Sequence, residues 1–181
     1  MSVFRNSILG IDLKSYIRDI PDFPKKGILF RDITPLLASP HAFAESIKRL
    51  STPWKTSRID KVVAMEARGF IFGSAVALEL GCGFVPVRKQ GKLPYKTKEI
   101  NYELEYGNDV LCIHEDAITS GERILLVDDL LATGGTSEAV VRLVENLGGV
   151  LVGVGVLIEL KSLEGAKRLV GYPMVSELVY P

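Results

Sequence analysis

ILLVDDLLATGGTSEA, residues Ile124 to Ala139, holds within sixteen residues an apolar run, two adjacent acids, a glycine turn flanked by threonines and the start of a new amphipathic pattern. Ile124–Val127 is short and rich in branched side chains, as suits a strand buried on both faces. Ala139, Val140, Leu143, Val144 and Leu147 then recur at helical spacing until Gly148 and Gly149 end the pattern. The stretch predicts a strand, a loop and a helix, with the loop at the carboxyl end of the strand. In open α/β sheets ligands bind in that crevice, and the free N–H groups and dipole of a helix start favour an anion such as phosphate. Asp128 and Asp129 face the same crevice. Two carboxylates would repel a phosphate, so sugar hydroxyls or a divalent cation are their fitting partners, and the ligand class is a phosphorylated sugar. A DD pair followed by GG would by itself also suit a strand that ends in solvated acids.

Outward from this stretch, strand and helix patterns alternate, which predicts βαβ units, a twisted and mainly parallel sheet with helices on both faces, and one domain over residues 1–181. Ile8, Leu9, Leu13, Tyr16, Ile17 and Ile20 give a first helix over Ile8–Ile20, stopped by Pro21. Pro21–Leu37 reads as irregular because of its prolines and glycine, apart from a short extended piece at Ile28–Phe30. Phe43–Leu50 reads as a helix, Lys61–Met65 as a strand, Glu66–Gly69 as a loop and Phe70–Leu80 as a helix ended by Gly81. Phe84–Val87, one hairpin arm within Leu104–Ile113, and a glycine-interrupted Val150–Ile158 complete the strands.

Composition limits the function classes. Lys plus Arg and Asp plus Glu number 22 each, so no global charge draws the chain to nucleic acid or an anionic membrane. The longest apolar stretch, Val150–Ile158, is about half a membrane span, and no export or insertion segment is expected. Cys82 and Cys112 lack CxxC spacing and read as buried, reduced thiols in a reducing, cytoplasmic setting. His41 and His114 stand alone and read as surface or packing residues.

Two further segments bear chemistry. MEARGFIFG, Met65–Gly73, repeats the strand, loop and helix logic; its glycine allows close backbone approach and Arg68 can fork onto two phosphate oxygens. RKQGKLPYKTKEINYELEYG, Arg88–Gly107, carries Arg88, Lys89, Lys92, Lys96 and Lys98 between plausible strands, and reads as a long loop, either a solvated charged hairpin or a lid. No GxxxxGK[ST] or GxGxxG follows a strand, so ATP and dinucleotide sites are not supported.

VDDLLATGGT resembles the phosphoribosyl-diphosphate (PRPP) signature of the type I phosphoribosyltransferases. The order DFPKKGILFRDITPLL, EARGFIFG, RKQGKLPYKT with LEYG, VDDLLATGGT and ELKSLEG resembles the adenine-specific branch of that family. The resemblance implies transfer of the 5-phosphoribosyl group from PRPP to adenine, giving AMP and pyrophosphate in purine salvage. It implies that Asp128 and Asp129 hold the ribose hydroxyls, and that Ala132, Thr133, Gly134, Gly135 and Thr136 hold the 5-phosphate. Glu66, Ala67, Arg68 and Gly69 would form the pyrophosphate loop, with Arg88, Lys89, Lys92 and Tyr106 as further PRPP contacts from the lid. Leu29, Phe30 and Arg31 would form the purine pocket, an aromatic face and a backbone acceptor being apt for adenine's amino group. Glu105 would relay the proton of a purine ring nitrogen, with Glu103 as the competing carboxyl, and Arg68 and Lys92 would stabilise the leaving pyrophosphate. Mg²⁺ would arrive with PRPP rather than on protein ligands, and the protein would be a homodimer without nucleic-acid or membrane partners. The alternatives are a 6-oxopurine phosphoribosyltransferase, which would want a side-chain donor over the base's oxygen, and a non-catalytic PRPP-binding regulator, which would want a DNA-binding module.

Overall fold

The computed structural model describes residues 11–103 and 108–181. They fall into two compact units, divided between Ser46 and Ile47.

In the first unit, strands β1 (Arg18–Pro21) and β2 (Leu29–Asp32) form an antiparallel ribbon in which Ile20 faces Phe30 and Asp19 faces Arg31. A short helix α1 (Thr34–Ala38) follows, and helix α2 (Pro40–Ser51) runs across the division between the units. The first helix expected over Ile8–Ile20 is not found from residue 11 onward: Leu13–Tyr16 makes one 3-10 turn and Arg18 onward is strand. Pairing with Leu29–Asp32 decides the matter, because a sheet partner distant in sequence overrides a local helical spacing. The same pairing gives Pro21–Leu37 more order than its prolines predict.

The second unit is built on a seven-stranded sheet. Its strands are β3 (Lys61–Met65), β4 (Gly83–Lys89), β5 (Thr97–Glu103), β6 (Asn108–His114), β7 (Arg123–Leu131), β8 (Val150–Leu160) and β9 (Met174–Tyr180). The order is β5-β6-β4-β3-β7-β8-β9; the run β4-β3-β7-β8-β9 is parallel, and β6 joins β4 and β5 antiparallel. Helices α3 (Arg68–Leu80) and α4 (Gly135–Asn146) follow β3 and β7. Strand alternation sends neighbouring residues to opposite faces. Val63, Val85, Ile124, Leu126, Val154 and Val156 pack with Val140, Leu143 and Val144 of α4. On the other face α3 lies so close that a Cβ on Gly73 would stand 2.6 Å from Ala64. Gly153 of β8 leaves room on its strand for the Trp54 indole, which a Cβ would meet at 2.3 Å. Helices therefore cover both faces, and the β-branched strands at the centre are fully buried, each such side chain contributing about 1.5–3 kcal/mol.

The chain leaves β3 toward β4 on one side and leaves β7 toward β8 on the other. A crevice opens where neighbouring strands diverge in this way, beyond their carboxyl ends. Within the loop expected over Arg88–Gly107, Arg88 and Lys89 end β4 and Thr97–Glu103 is strand, and residues 90–96 connect the two. Ile100 and Tyr102 turn inward at period two while Glu99 and Asn101 face out, and Lys98 is exposed near the start of the strand, the composition of a protected sheet edge. Residues 104–107 lie outside the described residues. Strand β9 had no counterpart in the sequence reading.

Candidate active site

The crevice between β3 and β7 holds a cavity of about 230 Å³ lined by Met65–Gly69 on one side and by Asp128–Gly134, Thr136 and Ser137 on the other. Both loops singled out in the sequence thus face one space. Gly135 lines a neighbouring, larger hollow of about 410 Å³ together with Tyr102, Glu138, Arg142 and Arg168. That hollow contains no other predicted site residue, so chemistry rather than size selects the smaller cavity.

Strand β7 runs on to Leu131, so Asp128 and Asp129 sit within the strand and not in the loop. The strand backbone fixes their directions. Asp128 Oδ1 accepts the Asp129 N–H at 2.9 Å, and Asp129 Oδ2 lies 3.0 Å from Arg68 Nε, an ion pair without hydrogen-bond alignment. Burial, together with the adjoining Asp129 charge, pushes the Asp128 carboxyl well up from its ordinary range. Burial raises Asp129 too, opposed by the Arg68 guanidinium. Gly69, in the first turn of α3, is what lets the helix approach: a Cβ there would stand 2.7 Å from Asp128 Oδ1.

The loop after β7 is held by main-chain packing. Gly134 adopts φ +80°, a left-handed conformation that favours glycine, and its missing Cβ would stand 2.5 Å from the Gly165 carbonyl oxygen. Gly165 is equally constrained, since a Cβ there would meet the Ala132 oxygen at 2.2 Å. The first bond of α4 runs from Glu138 N to Gly134 O at 2.9 Å, so the amides of Gly135, Thr136 and Ser137 precede it and have no carbonyl within the helix. Burial and the Asp109 charge hold the Tyr102 phenol above its usual range. Gly165 and Tyr102 were not named in the sequence as site residues. ELKSLEG was visible as a motif, but nothing local tells that its glycine faces Gly134.

On the opposite wall, Glu66 and Ala67 follow β3 and are joined by a cis peptide, and Arg68 opens α3. Glu66 Oε2 accepts from Arg88 Nε at 2.8 Å and lies 2.7 Å from the second guanidinium nitrogen, while Oε1 accepts the Lys89 N–H at 3.1 Å. Burial alone would raise the Glu66 carboxyl, but Arg88 and the Lys89 amide outweigh it and hold the group below its ordinary range. Lys89 pairs with Asp109 at 2.6 Å, and Lys92 is exposed. None of these three cations lines the cavity itself. Glu105 and Tyr106 lie outside the described residues.

In the first unit Phe30 is half-buried and meets the Phe23 ring edge-to-face at 5.1 Å; Arg31 pairs with Asp19, and Leu29 is exposed. Phe23 belongs to the DFP motif but was not assigned a role from sequence. Cys82 is half-buried where a buried thiol was expected, Cys112 is buried with its thiol pushed up to about 11, and both are free. His41 is exposed, and His114 meets Tyr95 edge-on. No group of three or more His, Cys, Asp or Glu arranged to hold a metal ion occurs among the described residues, and none of their helices is long and apolar enough to cross a membrane.

Comparison with known proteins places the chain in a family. Residues 36–176 match the family described as the Phosphoribosyl transferase domain. The chain is 59% identical over 170 residues to an adenine phosphoribosyltransferase of Thermotoga maritima, covering 94% of this chain and 98% of that one. The adenine phosphoribosyltransferase structure from Thermoanaerobacter pseudethanolicus superposes with a TM-score of 0.90 at 52% identity, covering 93% and 98% of the two chains. The Saccharomyces cerevisiae enzyme, complexed with an imino-altritol bisphosphate and adenine, superposes at 0.87 with 40% identity, covering 92% and 96%. The family match spans both loops that line the cavity, and so the chain belongs to the phosphoribosyltransferase family, among its adenine phosphoribosyltransferases.

Proposed function

We propose that the chain transfers the 5-phosphoribosyl group of PRPP to N9 of adenine through the residues assembled at the β3–β7 crevice. The observation that carries the reading is the convergence of two anion-binding loops on one cavity, as a ligand with phosphate at one end and pyrophosphate at the other requires. Asp128 and Asp129 hold the ribose hydroxyls; the amides and hydroxyls of Ala132, Thr133, Gly134, Gly135 and Thr136 hold the 5-phosphate. Ala67, Arg68 and Lys92 serve the pyrophosphate end, with Arg88, Lys89 and Tyr106 supporting it. Leu29, Phe30 and Arg31 serve the purine.

The bond from C1 of the ribose to the pyrophosphate oxygen breaks as the bond from C1 to N9 forms, with inversion. Negative charge gathers on the leaving pyrophosphate, where preorganised cations are most effective. Glu105 accepts the proton that the purine ring gives up. Mg²⁺ fits as a companion of PRPP: the nearby carboxylates are oxygen donors, yet they are engaged with the Asp129 amide and Arg68, which suits an ion held mainly by substrate oxygens and water. Bound there it supplies positive charge to the pyrophosphate. The homodimer and the cytoplasmic setting implied by the family resemblance belong to the same reading; the free thiols agree with a reducing compartment.

Incubating the protein with Mg²⁺, PRPP and labelled adenine should yield AMP, with hypoxanthine and guanine competing poorly. Preferential conversion of a 6-oxopurine, or PRPP binding without turnover, would replace this reading with one of the alternatives. Light scattering should return twice the chain mass.

A further inference from the structure

The pyrophosphate loop and the turn that carries Lys92 come from different parts of the chain and are joined by one side-chain pair. Glu66 is the first residue after β3 and lines the cavity, and its carboxylate engages both Arg88 and the amide of Lys89 at the end of β4. Arg88 reaches onward, its third nitrogen donating to the Lys92 carbonyl at 2.9 Å. All three guanidinium nitrogens are thereby directed at protein oxygens. An arginine so committed is a poor candidate for gripping phosphate itself, whereas together with Glu66 it fixes two main-chain points of the 89–92 turn, Glu66 holding the Lys89 amide and Arg88 the Lys92 carbonyl. The pair is partly shielded, Glu66 being 17% and Arg88 33% exposed, so solvent competes less with it than with a surface bridge.

We infer that Glu66 and Arg88 are positioning residues: a clamp that sets where Lys92 stands relative to Arg68, and through it the grip on pyrophosphate. The inference rests on the proposed role of Lys92 at the leaving group. In the clamp Glu66 touches no substrate; it spares Lys92 the ordering of its own turn at the moment of binding, and ordering done beforehand is what makes a charged group effective in the transition state.

A double-mutant cycle on KM for PRPP and on the inhibition constant of pyrophosphate tests the clamp. Lys92→Ala should raise both, and no effect there would sink the role of Lys92 rather than the clamp. Glu66→Gln should raise both constants about tenfold and leave KM for adenine within twofold. Introduced into the Lys92→Ala protein, the same change should add less than twofold, since the residue it positions is gone. Arg88→Lys, which keeps the charge but loses the fork to the Lys92 carbonyl, should reproduce the Glu66→Gln effect and serves if that variant does not fold. An effect that is equally large with and without Lys92, or one that weakens adenine as much as PRPP, would overturn the clamp.

Discussion

The two walls of the cavity are held by different forces. The wall after β7 is fixed by main chain on main chain, Gly134 against Gly165, with no room for a single added carbon at either. The wall after β3 is fixed by charged side chains: Glu66 with Arg88, Lys89 with Asp109, and Arg68 with Asp129 across the gap. Close backbone packing admits one geometry and fails abruptly. Partly exposed ion pairs, worth about 0–1 kcal/mol each in water, yield by degrees and weaken with salt. In the proposed binding mode the end of the substrate that does not react meets the rigid wall, and the end where charge develops meets the adjustable one.

The largest effect should come from the rigid wall. Gly165→Ala drives a methyl group into the Ala132 carbonyl, and we expect kcat/KM for PRPP to fall by about two orders of magnitude or more while circular dichroism stays native. A variant within threefold of wild type would show that this wall can give after all. Arg68→Ala should cost roughly 10²–10³ in kcat, as when one preorganised donor is removed from a developing anion. Steady-state rates near wild type would remove Arg68 from the chemistry. Glu105→Gln is expected to lower kcat by roughly two orders of magnitude, in the range for general acid–base help, with Glu103→Gln close to wild type. The reverse pattern would move the proton to Glu103.

The smallest effect concerns stability. A carboxyl whose pKa is raised on folding binds its proton more tightly in the native state, so stability falls as pH climbs from the ordinary carboxylate range through the raised value. Above that window the charge on Asp128 is a liability of the empty enzyme. Asp128→Asn keeps an acceptor for the Asp129 amide and removes the charge, and should raise Tm at neutral pH by about 2–4 °C while weakening PRPP. A lower Tm would mean that the acid pair is stabilising as it stands. Below the carboxylate range the two proteins should converge.

The rigid wall was also the more legible one. Ile124–Val127, the two acids and the glycine turn announce themselves locally, because strand, turn and helix signals lie within sixteen residues. Lys61–Met65 was readable with its bounds for the same reason: a run buried on both faces leaves no competing period. What was lost depends on partners far along the chain. Nothing in EARG tells that Glu66 will meet Arg88, 22 residues on, nor in LEG that Gly165 will press on Gly134. The charges of Thr97–Glu103 suggested a loop, although Ile100 and Tyr102 already carried the two-residue period of an edge strand. Over Leu13–Ile20 the helical spacing was real but lost to pairing with Leu29–Asp32.

The account stands on where the monophosphate end of PRPP is gripped, and a crystal structure of the protein soaked with PRPP and Mg²⁺ measures that directly. The 5-phosphate should lie within hydrogen-bond distance of the main-chain nitrogens of residues 132–136, with the ribose hydroxyls on Asp128 and Asp129. PRPP bound elsewhere, with that bend empty, would contradict it.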